Sequence, residues 1–215
     1  MWRLRSGLPA GSYRGEEIMK DINVLMVGVG GQGVILASDA MAEIGMSAGY
    51  DVKKTDSLGM AQRGGSVVSN VRWGEKVFSP MIKKGEVDYL VSFEQVEAAR
   101  WAAYLRPGRV AIVADMVVMP ISAMSGAFPY PSWDEIKSTL TPATDQVYLI
   151  PAVRIGQEVG NPKALNIVMM GALSTFLDIE TETWLADIRK KVPPKFLESS
   201  LQAFHRGVEE TKSMK

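Results

Sequence analysis

The chain has 215 residues, 47% of them hydrophobic, with 24 basic residues balancing 24 acidic ones. That length suits one substantial domain burying roughly 70% of its unfolded surface, and the charge balance gives no global field directed at nucleic acid. Cysteine is absent, which excludes disulfides, cysteine-ligated zinc or iron–sulfur clusters and a cysteine nucleophile from this chain.

Residues 1–18 begin "MWRLRSGLPAGSYRGEE" and lack the apolar centre of a secretory signal. They are expected to be a flexible leader, or an over-long start ahead of Met19, with residues 19–215 forming a single domain. No run reaches the ~18 apolar residues needed to span a bilayer, so a cytoplasmic protein without a membrane partner is expected.

The first strand, Ile22–Val27, runs directly into "VGVGGQGV". Gly28, Gly30 and Gly33 supply a G-x-G-x-x-G pattern, with Gly31 as an additional glycine. A helix follows from Gln32 to Ala48, where Val34, Ile35, Ala37, Ala40, Met41, Ile44 and Ala48 form an apolar stripe. Strand, glycine loop and helix in this order let backbone N–H groups approach an anion at the helix start. A tight turn without ligand uses the same pattern. No Lys-Ser/Thr follows Gly33, so the lysine-bearing phosphate loop is excluded.

The second strand, "DVKKTDS", ends on Lys53, Lys54, Thr55 and Asp56. A dinucleotide site wants an acid about 20 residues beyond the glycines, and only Asp56 meets that need. The lysines suit a phosphorylated ribose, as in NADP or coenzyme A, or simply a solvated edge strand. Next comes "SLGMAQRGGSVVS", which collects Ser57, Gly59, Gln62, Arg63, Gly64, Gly65 and Ser66. Arg63 offers a planar cationic fork, and the paired glycines allow converging N–H groups beside it. A plain turn with Arg63 in a structural ion pair is the other reading.

Gly65 to Pro80 reads as a hairpin insertion about "WGEK", with Arg72 and Trp73 as interface candidates or solvent-facing strand positions. Strands are expected at Val87–Phe93, Val110–Ala114 and Val147–Ile150, and "EQVEAARWAAYL" gives a helix. After Pro151 the pattern turns helical, at Ala164–Leu177, Glu182–Lys191 and Lys195–Lys212. This predicts an α/β fold: a doubly wound, Rossmann-like, mainly parallel sheet with a β-hairpin insertion and a helical C-terminal part.

Within the helical part, Asn166 is a polar amide in an apolar helix, either an interhelical bond or cap or a site-facing group. Gly171 predicts close helix or subunit packing. Met116, Met119, Met124, Met169 and Met170 suit core filling or an adaptable partner surface. His205 has no second histidine to join it, so it reads as a packing or solvated residue, and no metal site is expected.

"GVGGQGV", "DSLGMAQRGGSVVSNVRWG" and "NPKALNIVMMGAL", in this order, resemble the small gamma-type subunits of the pyruvate/2-oxoacid:ferredoxin oxidoreductase family, in its arylpyruvate branch. The resemblance covers residues 20 to 212. It implies a heteromeric enzyme that oxidatively decarboxylates a 2-oxo acid with thiamine diphosphate, passes electrons through iron–sulfur clusters to ferredoxin and forms an acyl-coenzyme A.

Thiamine diphosphate, its magnesium and the 4Fe-4S clusters are then expected on a large alpha subunit, in an α2β2 assembly. Coenzyme A is expected at the glycine loops, implicating Gly28, Gly30, Gly31, Gln32 and Gly33 with Ser57, Gly59, Gln62, Arg63, Gly64, Gly65 and Ser66, and Asn166 beside them. Arg63 is the candidate for a catalytic role. A self-contained NAD(P)-binding reductase and a non-catalytic scaffold subunit are the alternatives.

Overall fold

The computed structural model describes residues 20–59, 65–119 and 129–215. Among them, six strands form one sheet: β1 (Ile22–Val29), β2 (Asp51–Leu58), β3 (Ser66–Gly74), β4 (Val87–Ser92), β5 (Leu105–Ala114) and β6 (Val147–Ile150). Their order across the sheet is β2-β3-β1-β4-β5-β6. The ladders β1–β4, β4–β5 and β5–β6 are parallel, while β3 runs antiparallel to both β1 and β2.

Among the described residues, seven α-helices cover the sheet: α1 (Val34–Ser47), α2 (Gln95–Trp101), α3 (Trp133–Leu140), α4 (Ala152–Glu158), α5 (Leu165–Ser174), α6 (Thr181–Lys191) and α7 (Pro194–Met214). Alternate residues of β1 enter opposite cores. Val24 and Met26 pack towards α1 and the C-terminal helices, and Leu25 and Val27 face the side of α2 and α3. This two-sided burial explains why "INVLMVGV" reads as a continuous apolar run rather than an alternating one.

The hairpin is placed differently from expectation. Its arms are β2 and β3, joined across residues 59–65, and the stretch after Gly74 is no strand. The β3 residues are buried on both faces, so this strand is an interior member of the sheet. Trp73 is correspondingly fully buried beneath α1, where a β-carbon on Gly45 would overlap its indole. Arg72 donates to Asn23 Oδ1 and to the carbonyls of Ser79 and Met81. Trp73 is therefore an internal support rather than an interface group, and Arg72, partly exposed, braces the segment after β3.

The helical part contains the tightest packing. A β-carbon on Gly171 of α5 would overlap the carbonyl oxygen of Phe204, and one on Gly207 of α7 would overlap that of Val168. The expected close packing at Gly171 is thus a helix crossing within this chain. Met169 and Met170 are core residues, Met116 is partly buried against the core, and Met119 is exposed. Met124 lies outside the described residues, as does the expected leader. His205 is exposed, edge-on to the Phe204 ring.

Candidate functional site

β1 ends at Val29 on the carboxyl edge of the parallel strands, where an open α/β sheet binds its ligands. The turn that follows is closed by Gln32 N–H to the Val29 carbonyl at 3.2 Å. The Gln32 side chain folds back, and its Oε1 accepts from Val29 N–H at 2.7 Å. Gln32 Nε2 is buried and has no partner among the described residues. Gly28 makes room for this arrangement: a β-carbon there would stand 2.6 Å from Gln32 Oε1 and 2.9 Å from Phe93 Cβ.

Two glycines of the loop need their special backbone. Gly31 has φ +100° and, among the described residues, nothing within 4 Å of where a β-carbon would stand, which suits close approach of a ligand to its backbone. Gly33, at φ +80°, caps α1 with no side-chain cap. The first α1 bond to a loop carbonyl is Ala37 N–H to Gly33 at 3.0 Å. The N–H groups of Val34, Ile35 and Leu36 therefore precede the helical ladder and point outward as donors.

The second glycine cluster meets the first at this edge. Gly30 N–H donates to the Gly65 carbonyl at 2.9 Å, and Gly59 N–H donates to the Ser66 carbonyl at 2.8 Å. Asn166, at the start of α5, completes the back of the loop, with its Nδ2 2.8 Å from a β-carbon built on Gly33. Between them lies a cleft of about 530 Å³ lined by Gly30, Gly31, Gly33, Leu36, Leu58 and Gly59. Ser57 is exposed beside it, level with Val68 in the β2–β3 ladder. Gln62, Arg63 and Gly64 lie outside the described residues.

Asp56 does not stand where a dinucleotide ribose would need it. β3 separates β2 from β1, and Asp56 is engaged by Lys54 Nζ at 2.7 Å and Ser69 Oγ at 2.6 Å. Lys54 also pairs with Asp39. These two residues tie the edge strand to α1 and to β3.

Two buried carboxylates that motif reading overlooked adjoin the loops. Glu97, 4% exposed, accepts from Ser66 Oγ–H at 2.7 Å and lies 3.3 Å from Arg100 Nε. Glu94, 2% exposed, accepts from Glu97 N–H at 3.0 Å, from Val118 N–H at 3.2 Å and from the Tyr130 hydroxyl. Burial first, and then the Glu94 carboxylate, push the Tyr130 phenol well above its usual range. The signal was present in "SFEQVE": an acid closing a buried strand, and a second acid in the helix's first turn.

A larger apolar groove, about 940 Å³, runs between α1, α5, α6 and α7 and shares Leu36 with the glycine cleft. Among the described residues, no three His, Asp or Glu side chains are grouped to hold a metal ion, and no helix is long and apolar enough to cross a membrane.

The family model described as "Pyruvate ferredoxin/flavodoxin oxidoreductase" matches residues 23–210. The indolepyruvate oxidoreductase subunit IorB of Thermococcus kodakarensis is 35% identical over 199 residues, 91% of this chain and 98% of that one. Its namesake in Methanothermobacter thermautotrophicus is 35% identical over 187 residues, 86% of this chain and 95% of that one.

Among solved structures, the gamma subunit of a keto/oxoacid ferredoxin oxidoreductase from Geobacter sulfurreducens shares the fold. Its TM-score is 0.69 at 23% identity, covering 90% of this chain and 98% of that one. A 2-oxoglutarate:ferredoxin oxidoreductase from Magnetococcus marinus, with 2-oxoglutarate, coenzyme A and succinyl-CoA bound, gives a TM-score of 0.70 at 21% identity. The match covers 91% of this chain and 32% of that one.

Proposed function

Because the chain belongs to the pyruvate ferredoxin/flavodoxin oxidoreductase family, we propose that it is the small subunit of an indolepyruvate:ferredoxin oxidoreductase whose glycine cleft receives coenzyme A. The names of its 35% identical relatives support the aryl 2-oxo acid as substrate. The partner is a larger alpha subunit, in an α2β2 assembly in the cytoplasm, with residues 19–215 of this chain acting as one domain. Ferredoxin is reached through the complex.

One contact carries the assignment of the cleft. The Gly30 N–H to Gly65 carbonyl bond locks the two glycine clusters together at the carboxyl edge. The residues fit the ligand: the donors ahead of the α1 ladder and the open backbone at Gly31 suit a phosphate group. Leu36, Leu58 and Val67 give the cleft an apolar wall for a pantetheine arm. Arg63, which precedes Gly64 and Gly65 within the second cluster, is assigned the balancing positive charge.

Thiamine diphosphate, with magnesium, supplies the carbanion chemistry of 2-oxo acid decarboxylation, and both belong to the alpha subunit in this scheme. This chain has no cysteine, so the 4Fe-4S clusters belong there too. The work left to this chain is to bind coenzyme A, hold its thiol towards the partner's reacting carbon and exclude water from that side.

The test is coexpression with the larger subunit and measurement of indolepyruvate-dependent viologen reduction. The complex turns over with coenzyme A, and the isolated chain does not. An intact complex without coenzyme A-dependent turnover overturns the assignment.

A further inference from the structure

The geometry points to Glu97 as a positioning residue that sets how tightly the glycine cleft holds its phosphate-bearing ligand, acting through Ser66 rather than by touching the ligand. This rests on the cleft assignment above and adds a residue to it.

The connection is short and continuous. Glu97 Oε2 accepts the Ser66 hydroxyl proton at 2.7 Å. The Ser66 carbonyl in turn accepts from Gly59 N–H at 2.8 Å, and the adjoining Gly65 carbonyl accepts from Gly30 N–H at 2.9 Å. One carboxylate on α2 thereby fixes the residue at which the second glycine cluster enters β3, and with it the spacing between the two loops. The contact spans 31 positions of sequence, so no local turn preference provides it.

A carboxylate is an expensive group to bury for this purpose, since an ionised side chain kept from water needs charged or hydrogen-bonding partners. Glu97 is 4% exposed, and it has them in the Ser66 hydroxyl and, at 3.3 Å, Arg100. Glu94, itself buried, accepts from the Glu97 backbone N–H and holds that residue in place. Among the described residues, the cleft is lined by glycine backbone and apolar side chains. Rigidity there has to come from behind, and Ser66–Glu97 supplies it by tying the start of β3 to α2.

The experiment uses the complete two-subunit complex with variants Ser66→Ala, Glu97→Ala and the double variant, and Ser66→Thr as the conservative control. Michaelis constants for coenzyme A and for the 2-oxo acid are measured separately. Each single variant raises KM for coenzyme A about tenfold or more, as expected for loss of one hydrogen bond to a charged group, with a much smaller change in KM for the 2-oxo acid.

The double variant is no worse than either single one, because both break the same contact, and Ser66→Thr restores most of the loss. An unchanged KM for coenzyme A, or effects of the two substitutions that simply multiply, overturns the role of Glu97. Gly31→Val, placed directly in the cleft, separates the two claims. If it raises KM for coenzyme A while the Ser66 and Glu97 variants do not, the cleft assignment stands and the positioning role fails. If it too has no effect, the cleft assignment itself is wrong.

Discussion

Asn166 packs against Gly33 where the first glycine loop becomes α1: a β-carbon built on Gly33 would stand 2.8 Å from Asn166 Nδ2 and 3.2 Å from its Cβ. Gly33 also holds φ at +80°, so Gly33→Ala meets two separate obstacles. Left-handed backbone at a non-glycine residue costs about 1 kcal/mol or more, and displacing Asn166 adds to it. Thermal unfolding should show Gly33→Ala clearly destabilised. Adding Asn166→Ala should recover only the steric part; full recovery would mean that the backbone angle carries no cost.

Gly171 and Gly207 form a reciprocal contact in the crossing of α5 and α7. Each offers the other helix's backbone the space a methyl group would fill. Gly171→Ala and Gly207→Ala are each expected to cost about 1–3 kcal/mol through overpacking, lowering Tm by about 2–4 °C per kcal/mol for a domain of this size. Once one substitution has forced the helices apart, the other costs less. Calorimetry of the double variant should therefore show less than the summed loss, and strict additivity would indicate that the two sites relax independently.

Tyr130 supplies a pH dependence. Its phenol is raised above the ordinary value of 10.0, first by burial and then by Glu94. The folded protein therefore holds this proton more tightly than the unfolded chain does. The resulting stabilisation is complete below about pH 10 and is lost as the pH rises through the folded-state value. Tyr130→Phe should flatten the alkaline limb of the stability curve and remove one late-titrating phenol from the ultraviolet difference spectrum. A Tyr130 that ionises with the solvent-exposed tyrosines would contradict the burial argument.

The parts of this fold that follow local rules were legible in the sequence. β1, α1, β4, α5, α6 and α7 lie within a few residues of where apolar spacing and turn residues put them. β3 was legible as a strand, the first arm of the expected hairpin, but its pairing with β1, Ile22 against Trp73 through Val29 against Ser66, was not, because that pairing is long-range, whereas "WGEK" carries a local hairpin signal. α3 and α4 are short, and the capping box of Ser132 and Glu135 that starts α3 precedes only two buried residues, Ile136 and Leu140.

At the site, the glycines announced themselves by composition. The bond between Gly30 and Gly65, the packing of Asn166 on Gly33 and the hold of Glu97 on Ser66 depend on chain crossings that no local pattern encodes.

The most direct test of the central claim, that coenzyme A binds on this chain, is calorimetric titration of coenzyme A into the two-subunit complex, wild type against Arg63→Ala. Loss of a charge-assisted phosphate contact is expected to weaken binding by about tenfold or more, while turnover at saturating coenzyme A changes little. Equal affinities for these two proteins would remove Arg63 from the site, and an equal affinity of Gly31→Val as well would contradict the claim.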